Sequence, residues 1–282
     1  MIRKILKKLL QPRNPIIKSV YVPMIQGDFL RGKTALVTGG TSGIGRSTAT
    51  AFARCGCKTV VITGRSQKRC DEMASQLSES TGRQVIGIAM AQNHPGEIER
   101  VFPEILHSVD NRLDILYNNA GIYDGTDYEK VTPELFDSVM EMNMKSSFFL
   151  TQVVSEHMIA NKIEGSICNL CSSSSFRPAI DPYMISKWGM RGFTLGLAKK
   201  LIKHGIVVNG IAPGPTSTPM LGKDAGSDIF HPTTPSGRYS TPEEVANLAV
   251  FLVSDMGRQI VGEVISISGG AAVTTYDDVN NY

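Results

Sequence analysis

The stretch Thr38-Gly39-Gly40-Thr41-Ser42-Gly43-Ile44-Gly45 decides the fold of this chain. It follows a short apolar run at 33–37, which has strand character, and it precedes a segment at 46–53 that can be helical. Glycine lets a backbone turn sharply and approach a phosphate closely. The helix N-terminus then directs unpaired N–H groups and a positive dipole end at that phosphate. The pattern predicts a phosphate-binding turn, although this stretch alone also fits a plain strand-to-helix connection.

Strand-like and helix-like segments alternate through the rest of the chain. The predicted strands are 33–37, 58–63, 84–90, 113–117, 165–170, 206–211 and 264–267. The predicted helices that follow them are 66–80, 97–108, one or two helices within 133–160, 183–203 and 242–254. Apolar strands separated by helices indicate an α/β fold, a doubly wound parallel sheet of about seven strands with helices on both faces. The glycine turn then lies at the carboxyl end of the first strand, where such sheets bind ligands.

Charge and cysteine usage limit the partners. The chain has 282 residues and a net charge of +3. Residues 1–18 hold six cations and no acid, so the remainder is mildly acidic, which argues against nucleic acid as a partner. The five cysteines lack zinc-ligand spacing. We therefore predict no metal site and a reduced, cytoplasmic compartment.

The N-terminal residues differ from the body. In residues 1–10 five aliphatic side chains share one helical face and cations occupy the other. Such a basic amphipathic helix can lie on an anionic membrane surface, pack on a partner subunit, or stay disordered. Residues 11–30 read as an irregular connector, and no apolar run is long enough to span a membrane. We predict an N-terminal segment at 1–30, one domain at 31–270 and a tail at 271–282.

The end of the second strand bears on cofactor choice. Dinucleotide sites that prefer NAD place an acid there to hold the ribose hydroxyls. This chain has Gly64 at that place and Arg65 beside it. A cation suits the 2′-phosphate of NADP, so we predict a preference for NADP(H) over NAD(H). The alternative is that Arg65 is an ordinary solvated cation near a helix start.

Tyr183 and Lys187 are four positions apart, so they share one face of a helix. A free tyrosine has a pKa of about 10 and is a poor acid or base at neutral pH. A neighbouring ammonium favours the phenolate and should lower the tyrosine pKa. The pair is therefore a candidate for proton exchange with an alcohol oxygen, although such pairs are also common on helix surfaces.

Four motifs in this order and spacing resemble the short-chain dehydrogenases/reductases: TGGTSGIG, NNAG, YMISK and VNGIAPGPTSTPM. The resemblance covers about residues 31–270. It implies a single Rossmann-type domain, a nicotinamide cofactor, and a homo-dimer or tetramer.

The resemblance also implies roles for individual residues. Tyr183 matches the catalytic acid/base, Lys187 its partner and a ligand of the nicotinamide ribose, and Asn143 the support of a water-linked proton relay. Residues that match cofactor-binding positions are Thr38, Gly39, Thr41, Ser42, Gly43, Ile44, Gly45, Asn119, Ala120, Gly121, Pro213, Gly214 and Thr218.

The catalytic serine of the resemblance falls on Ser172, which donates a hydrogen bond to the substrate oxygen. Ser172 lies 11 residues before Tyr183, about two fewer than usual, so Ser173 and Ser174 are rivals. Two further departures are the stretch at 91–93 (Ala-Gln-Asn), where an acid near the adenine is usual, and Ser268, where an aspartate is usual.

The combined pattern predicts an NADP(H)-dependent oxidoreductase that interconverts a secondary alcohol and a ketone. The alternative is a catalytically weak or inactive cofactor-binding protein of the same fold that acts as a partner subunit. Substrate choice should depend on the loops at 176–182 and 215–239, whose mixed composition selects no substrate class. His231 in the second loop reads as incidental.

Overall fold

Seven strands form one sheet in the order β3-β2-β1-β4-β5-β6-β7, with every neighbouring pair parallel. The computed structural model describes residues 16–17, 20, 22–92, 94–223 and 226–272. The strands are β1 Thr34–Val37, β2 Thr59–Gly64, β3 Gln84–Ala89, β4 Ile115–Asn118, β5 Ser166–Leu170, β6 Val207–Pro213 and β7 Val264–Ile267. The predicted helix at 1–10 and the chain after residue 272 lie outside the described residues.

The α-helices connect these strands. They are α1 Gly43–Arg54, α2 Gln67–Thr81, α3 Pro95–Ser108, α4 Pro133–Met140, α5 Ser146–Ala160, α6 Pro182–Leu201 and α7 Pro242–Val253. A π-helical turn, Glu141–Lys145, joins α4 to α5, so the predicted helical region 133–160 is one continuous helical rod with an irregular centre. Among the described residues, no helix combines the length and the apolar character needed to cross a membrane.

Successive strand residues face opposite helical layers. In β1, Ala35 and Val37 belong to a core shared with α1, α2 and α7, whereas Leu36 belongs to a core shared with α3, α5 and α6. Because both faces are covered, β1, β2, β4 and β6 are apolar runs without polar alternation. The predicted fold class is confirmed.

The site is set by the strand order. The chain moves from β1 outward through β2 to β3, then returns to place β4 against the other side of β1. The loops after β1 and β4 therefore diverge at the carboxyl edge of the sheet and leave a crevice between them.

The described part of the N-terminal connector is tied to the body. The N–H of Ile17 donates to Oδ1 of Asp228 at 3.0 Å, and the N–H of Ile229 donates to the carbonyl of Ile17 at 2.8 Å. Farther along, the N–H of Ile25 donates to Oδ1 of Asn247 at 2.8 Å. The contact of Ile17 with Asp228 and Ile229 attaches the described part of the connector to the loop predicted to select substrate.

Candidate active site

A cavity of about 540 Å³ opens at the carboxyl edge of the sheet. The loops that follow β1, β2, β4, β5 and β6 line it. Its described lining includes the cations Arg65, Arg177 and Lys187 and contains no aspartate or glutamate. The cavity is therefore suited to anionic ligands.

The glycine turn forms one wall. Helix α1 begins at Gly43, and the side chain of its N-cap residue, Ser42, makes no capping hydrogen bond. Gly39 and Gly43 have φ of 63° and 52°, a conformation that L side chains rarely adopt. A Cβ at Gly45 would lie 2.3 Å from the carbonyl oxygen of Gly39. The spacing of the three glycines is thus required by the backbone of the turn.

Thr38 joins this turn to the end of β4. Its Oγ1 accepts hydrogen bonds from the N–H groups of Asn119, at 2.9 Å, and Ala120, at 3.0 Å. In return Nδ2 of Asn119 donates to the carbonyl of Thr38 at 2.8 Å. These bonds fix the NNAG segment beside the glycine turn.

Asn143 lies in the π turn and is buried. Its Nδ2 donates to the carbonyl of Ile122 at 3.0 Å and to Oγ of Ser186 at 3.2 Å, while its Oδ1 accepts from the N–H of Ile122 at 2.8 Å. These contacts join the loop after β4 to helix α6, which carries Tyr183 and Lys187. Asn143 thus holds the two walls of the site together.

Lys187 projects from α6 toward the end of β5. Its Nζ donates to the carbonyl of Leu170 at 2.8 Å and lies 5.7 Å from the centroid of the Tyr183 ring. Burial lowers the pKa of Lys187 to about 8, because the enclosed ammonium loses its hydration.

Tyr183 differs from expectation in its electrostatics. Burial raises its pKa, and a hydrogen bond with the Ser172 side chain only partly opposes that rise. The prediction that Lys187 lowers the Tyr183 pKa is wrong for this structure, since loss of hydration is the largest effect on the phenol. The ring of Tyr123 packs edge-on against that of Tyr183, with centroids 5.0 Å apart, and contributes to the enclosure.

The three candidate serines occupy different environments. Ser172 caps a short 3₁₀ helix, Ser173–Phe176, by accepting from the N–H of Ser174 at 3.1 Å, and it is the one serine of the three whose side chain affects the pKa of Tyr183. Ser173 and Ser174 line the same cavity, but neither shares a hydrogen bond with that phenol. The geometry favours Ser172.

Most of the other predicted site residues also line the cavity. Those at its wall are Gly39, Thr41, Ser42, Gly43, Ile44, Arg65, Asn119, Ala120, Gly121, Pro213, Gly214 and Thr218. Thr38, Gly45 and Asn143 are not part of the wall and instead support it from behind. A Cβ at Gly214 would lie 2.8 Å from the backbone of Ser268, so this close approach places the loop after β6 against the end of β7.

Two polar side chains of the cavity were not assigned a role from the sequence. Gln92, in the loop after β3, is 3% exposed, and its Nε2 has no hydrogen-bond partner among the described residues. Arg177, after β5, has a buried Nε that likewise lacks a partner there. In the sequence, Gln92 marks only a place where an acid is usual, and Arg177 is only one residue of a loop. An unpaired buried donor arises when the chain packs, so neither role could be predicted from the sequence.

His231 also lines the cavity. Its Nδ1 lies 3.1 Å from the hydroxyl oxygens of Thr233 and Thr234, and its ring packs edge-on against Tyr239. Burial lowers the pKa of His231, which favours its neutral form. A structural role in the loop accounts for these contacts.

Comparison with known proteins gives a consistent family. The model of the short chain dehydrogenase family matches residues 33–227. The chain is 36% identical over 245 residues to 3-oxoacyl-[acyl-carrier-protein] reductase FabG of Aquifex aeolicus, covering 86% of this chain and 98% of that protein. It is 33% identical to gluconate 5-dehydrogenase of Gluconobacter oxydans, covering 87% and 96% of the two chains.

A solved structure agrees with these relatives. The L-sorbose reductase of Gluconobacter frateurii, in complex with NADPH and L-sorbose, superposes with a TM-score of 0.79 at 30% identity, over 88% of this chain and 99% of that one. The fold, the four motifs and these similarities agree, and the chain belongs to the short-chain dehydrogenase family.

Proposed function

We propose that this protein is an NADP(H)-dependent oxidoreductase that interconverts a secondary alcohol and a ketone, with Tyr183 as the acid/base. The observation that carries the proposal is that Ser172, Tyr183 and Lys187 line one cavity together with the glycine turn, with Nζ of Lys187 5.7 Å from the centre of the Tyr183 ring. The cofactor, when bound, supplies or accepts the hydride at the reacting carbon.

In the direction of ketone reduction, the hydroxyl of Ser172 donates a hydrogen bond to the substrate oxygen. Tyr183 transfers its phenolic proton to that oxygen as negative charge develops on it. The raised pKa of Tyr183 keeps the phenol protonated at neutral pH, as a proton donor requires. Lys187, whose Nζ lies 5.7 Å from the centre of the Tyr183 ring, would hold the nicotinamide ribose of the bound cofactor. Alcohol oxidation uses the same groups in reverse.

The cavity fits a dinucleotide on two observations. The first turn of α1 offers backbone N–H groups without a competing side-chain cap, which suits a pyrophosphate. The unpaired Nε2 of Gln92 is a donor that a ring nitrogen of adenine would satisfy. An amide can therefore replace the acid expected near the adenine.

Preference for NADP(H) over NAD(H) rests on Arg65. Its side chain is exposed at the cavity rim, after β2, where it can meet a 2′-phosphate without losing a protein partner. The neighbouring Gly64 presents no carboxylate that would repel that phosphate.

The relatives have different substrates by name and so do not indicate one substrate for this protein. By name they act on an acyl thioester, a sugar acid and a neutral sugar. Following nicotinamide absorbance at 340 nm with NADPH and a panel of ketones, and with NADP⁺ and the matching alcohols, tests the proposed function. Cofactor binding without turnover of any compound would instead support the inactive partner-subunit alternative.

We further propose that the protein forms a homo-dimer or tetramer through α5 and α6. Large apolar side chains are exposed on these helices: Phe148 is 44% exposed, Phe149 37%, Trp188 42% and Leu195 46%. Exposed apolar side chains of this size on two helices favour a subunit interface. Light scattering measures the mass of the particle in solution and tests the proposed oligomer.

The cytoplasmic location proposed from cysteine usage is supported by five free thiols, all buried.

A further inference from the structure

Arg177 is held at the substrate end of the cavity. It follows the 3₁₀ helix that Ser172 caps, and its carbonyl accepts a hydrogen bond from Nε1 of Trp188 at 2.7 Å. Trp188 lies on α6 immediately after Lys187, so the backbone of Arg177 is pinned to the helix that carries the proposed acid/base. Arg177 lines the same cavity as Ser172 and Tyr183.

The guanidinium of Arg177 lacks the partners that its neighbour has. Arg191 stacks on the ring of Phe176 at 4.3 Å and donates to the carbonyl of Ser175 at 3.3 Å. Arg177 forms no ion pair within the described part of the chain, and its buried Nε has no acceptor there. A buried donor without an acceptor is costly, so such a group in a ligand cavity indicates an acceptor on the ligand.

The cofactor phosphate proposed for Arg65 does not account for Arg177. Arg65 follows β2 and Arg177 follows β5, three strand spacings away in the sheet order. At about 4.8 Å per strand, the ends of β2 and β5 are about 14 Å apart along the sheet edge. Arg177 also follows the 3₁₀ helix that Ser172 caps, on the side of the cavity where a substrate would meet Ser172 and Tyr183.

We propose that the substrate is a small oxo or hydroxy acid whose carboxylate is bound by Arg177, a proposal that rests on the oxidoreductase function given above. The planar guanidinium presents parallel N–H donors that match the two oxygens of a carboxylate. No carboxylate side chain in the described lining competes for that contact. A phosphate ester could supply the same anionic oxygens, and the experiment separates the two sources.

The test compares each oxo acid of a three- to six-carbon panel with its neutral methyl ester, and 5-keto-D-gluconate with D-fructose 6-phosphate and L-sorbose. We expect the unmodified enzyme to prefer the carboxylates in kcat/KM. Arg177→Met should lower kcat/KM for acids by about 10- to 150-fold, mainly through KM, and change the neutral compounds little. The kcat/KM of Arg177→Lys for acids should lie between those of the unmodified enzyme and Arg177→Met. Arg83→Met removes the same charge at the amino edge of β3 and should change nothing.

The carboxylate proposal is overturned if the unmodified enzyme has equal kcat/KM for acids and esters or prefers the phosphate ester. It is also overturned if Arg177→Met lowers kcat/KM equally for acids and esters. These outcomes leave the oxidoreductase function intact. If no compound is turned over, the oxidoreductase function fails, and calorimetry with NADP⁺ present still decides on Arg177. Binding of D-gluconate but not D-glucitol, lost in folded Arg177→Met, supports the carboxylate site. Equal or absent binding of both refutes it. Thermal melting shows which variants are folded.

Discussion

Nζ of Lys187 lies 2.8 Å from the carbonyl oxygen of Leu170, the last residue of β5. A neutral carbonyl offsets only part of the hydration that the buried ammonium has lost, and the pKa of Lys187 falls to about 8. This contact places a cation behind Tyr183 and makes its charge sensitive to pH near neutrality.

The lowered pKa of Lys187 predicts a specific dependence of stability on pH. Below about pH 8, folded and unfolded chains both hold the proton; between about 8 and 10.5, only the unfolded chain does. The free energy of unfolding of the unmodified protein should therefore rise with pH relative to Lys187→Met, by roughly 2–3 kcal/mol from pH 7 to 10. Urea titrations of both proteins at several pH values measure this free energy of unfolding. Lys199→Met, exposed on the same helix, should show no such trend, and a flat difference for Lys187→Met would contradict the assignment.

Tyr183→Phe removes the proposed proton donor with little change in shape. Turnover should fall by about 100- to 10,000-fold, because general acid catalysis is lost. Binding of NADPH, followed by fluorescence, should stay within about twofold, since the cofactor phosphates contact other residues. Tyr123→Phe is the matched control because its ring packs against Tyr183. Retention of normal turnover by Tyr183→Phe would exclude the proposed mechanism.

The serine assignment predicts unequal effects within one run of serines. Ser172→Ala should lower kcat by about 100-fold, as expected when one donor to the developing oxyanion is lost. Ser173→Ala and Ser174→Ala should keep most activity, since neither hydroxyl bonds to the phenol. A larger loss in either of these two variants would move the catalytic role to that serine.

Arg65→Ala should weaken NADP⁺ binding by about 10- to 150-fold and change NAD⁺ binding little, since one charge-assisted contact with the 2′-phosphate is lost. Calorimetric titration with both cofactors measures the two affinities. Lys68→Ala, an exposed cation in the first turn of α2, separates this contact from a general loss of positive charge. Equal binding of the two cofactors by the unmodified protein would refute the predicted preference.

Two truncations separate the roles of the N-terminal region. The contacts of Ile17 with Asp228 and Ile229 predict that removal of residues 1–15 leaves KM unchanged, whereas removal of residues 1–20 raises it. If residues 1–10 bind a membrane surface, sedimentation with anionic vesicles should show salt-sensitive binding that both truncations abolish.

The same truncations test the other roles of residues 1–10. Absence of vesicle binding by the full chain at low salt excludes the membrane role. A changed oligomer or a lower melting temperature after removal of residues 1–15 would indicate packing on a second subunit. Equal KM values for both truncations would show that the Ile17 contacts do not influence the loop.

The fold was predictable because strands buried on both faces appear in sequence as apolar runs between helical segments. Most strand boundaries differ by one or two residues. The predicted strand at 113–117 starts two residues later, at Ile115, although the N–H of Asp114 still donates to the carbonyl of Thr34 at 3.1 Å. Hydropathy does not mark the residue at which regular pairing begins, because the apolar run extends past the end of the ladder.

The site was predictable to the extent that chemistry follows from spacing. The spacing of Tyr183 and Lys187 predicts their proximity, but the direction of the tyrosine pKa depends on burial, which spacing does not reveal. The unpaired donors of Gln92 and Arg177 exist only because particular loops meet after folding. The π turn at 141–145 is equally invisible, since it changes the hydrogen-bond pattern and leaves composition unaltered.

The π turn also fixes the length of the rod formed by α4 and α5. A π turn accommodates one residue more than regular α-helix does at the same place. Deleting one residue from 141–145 should therefore restore regular α-helix while α4 and α5 keep their orientations and Leu150 stays in the core. The loss would fall on the turn itself, because Asn143 could no longer meet both Ile122 and Ser186. The extra residue thus serves the site and not the core, and homologous chains that lack it should also lack these asparagine contacts.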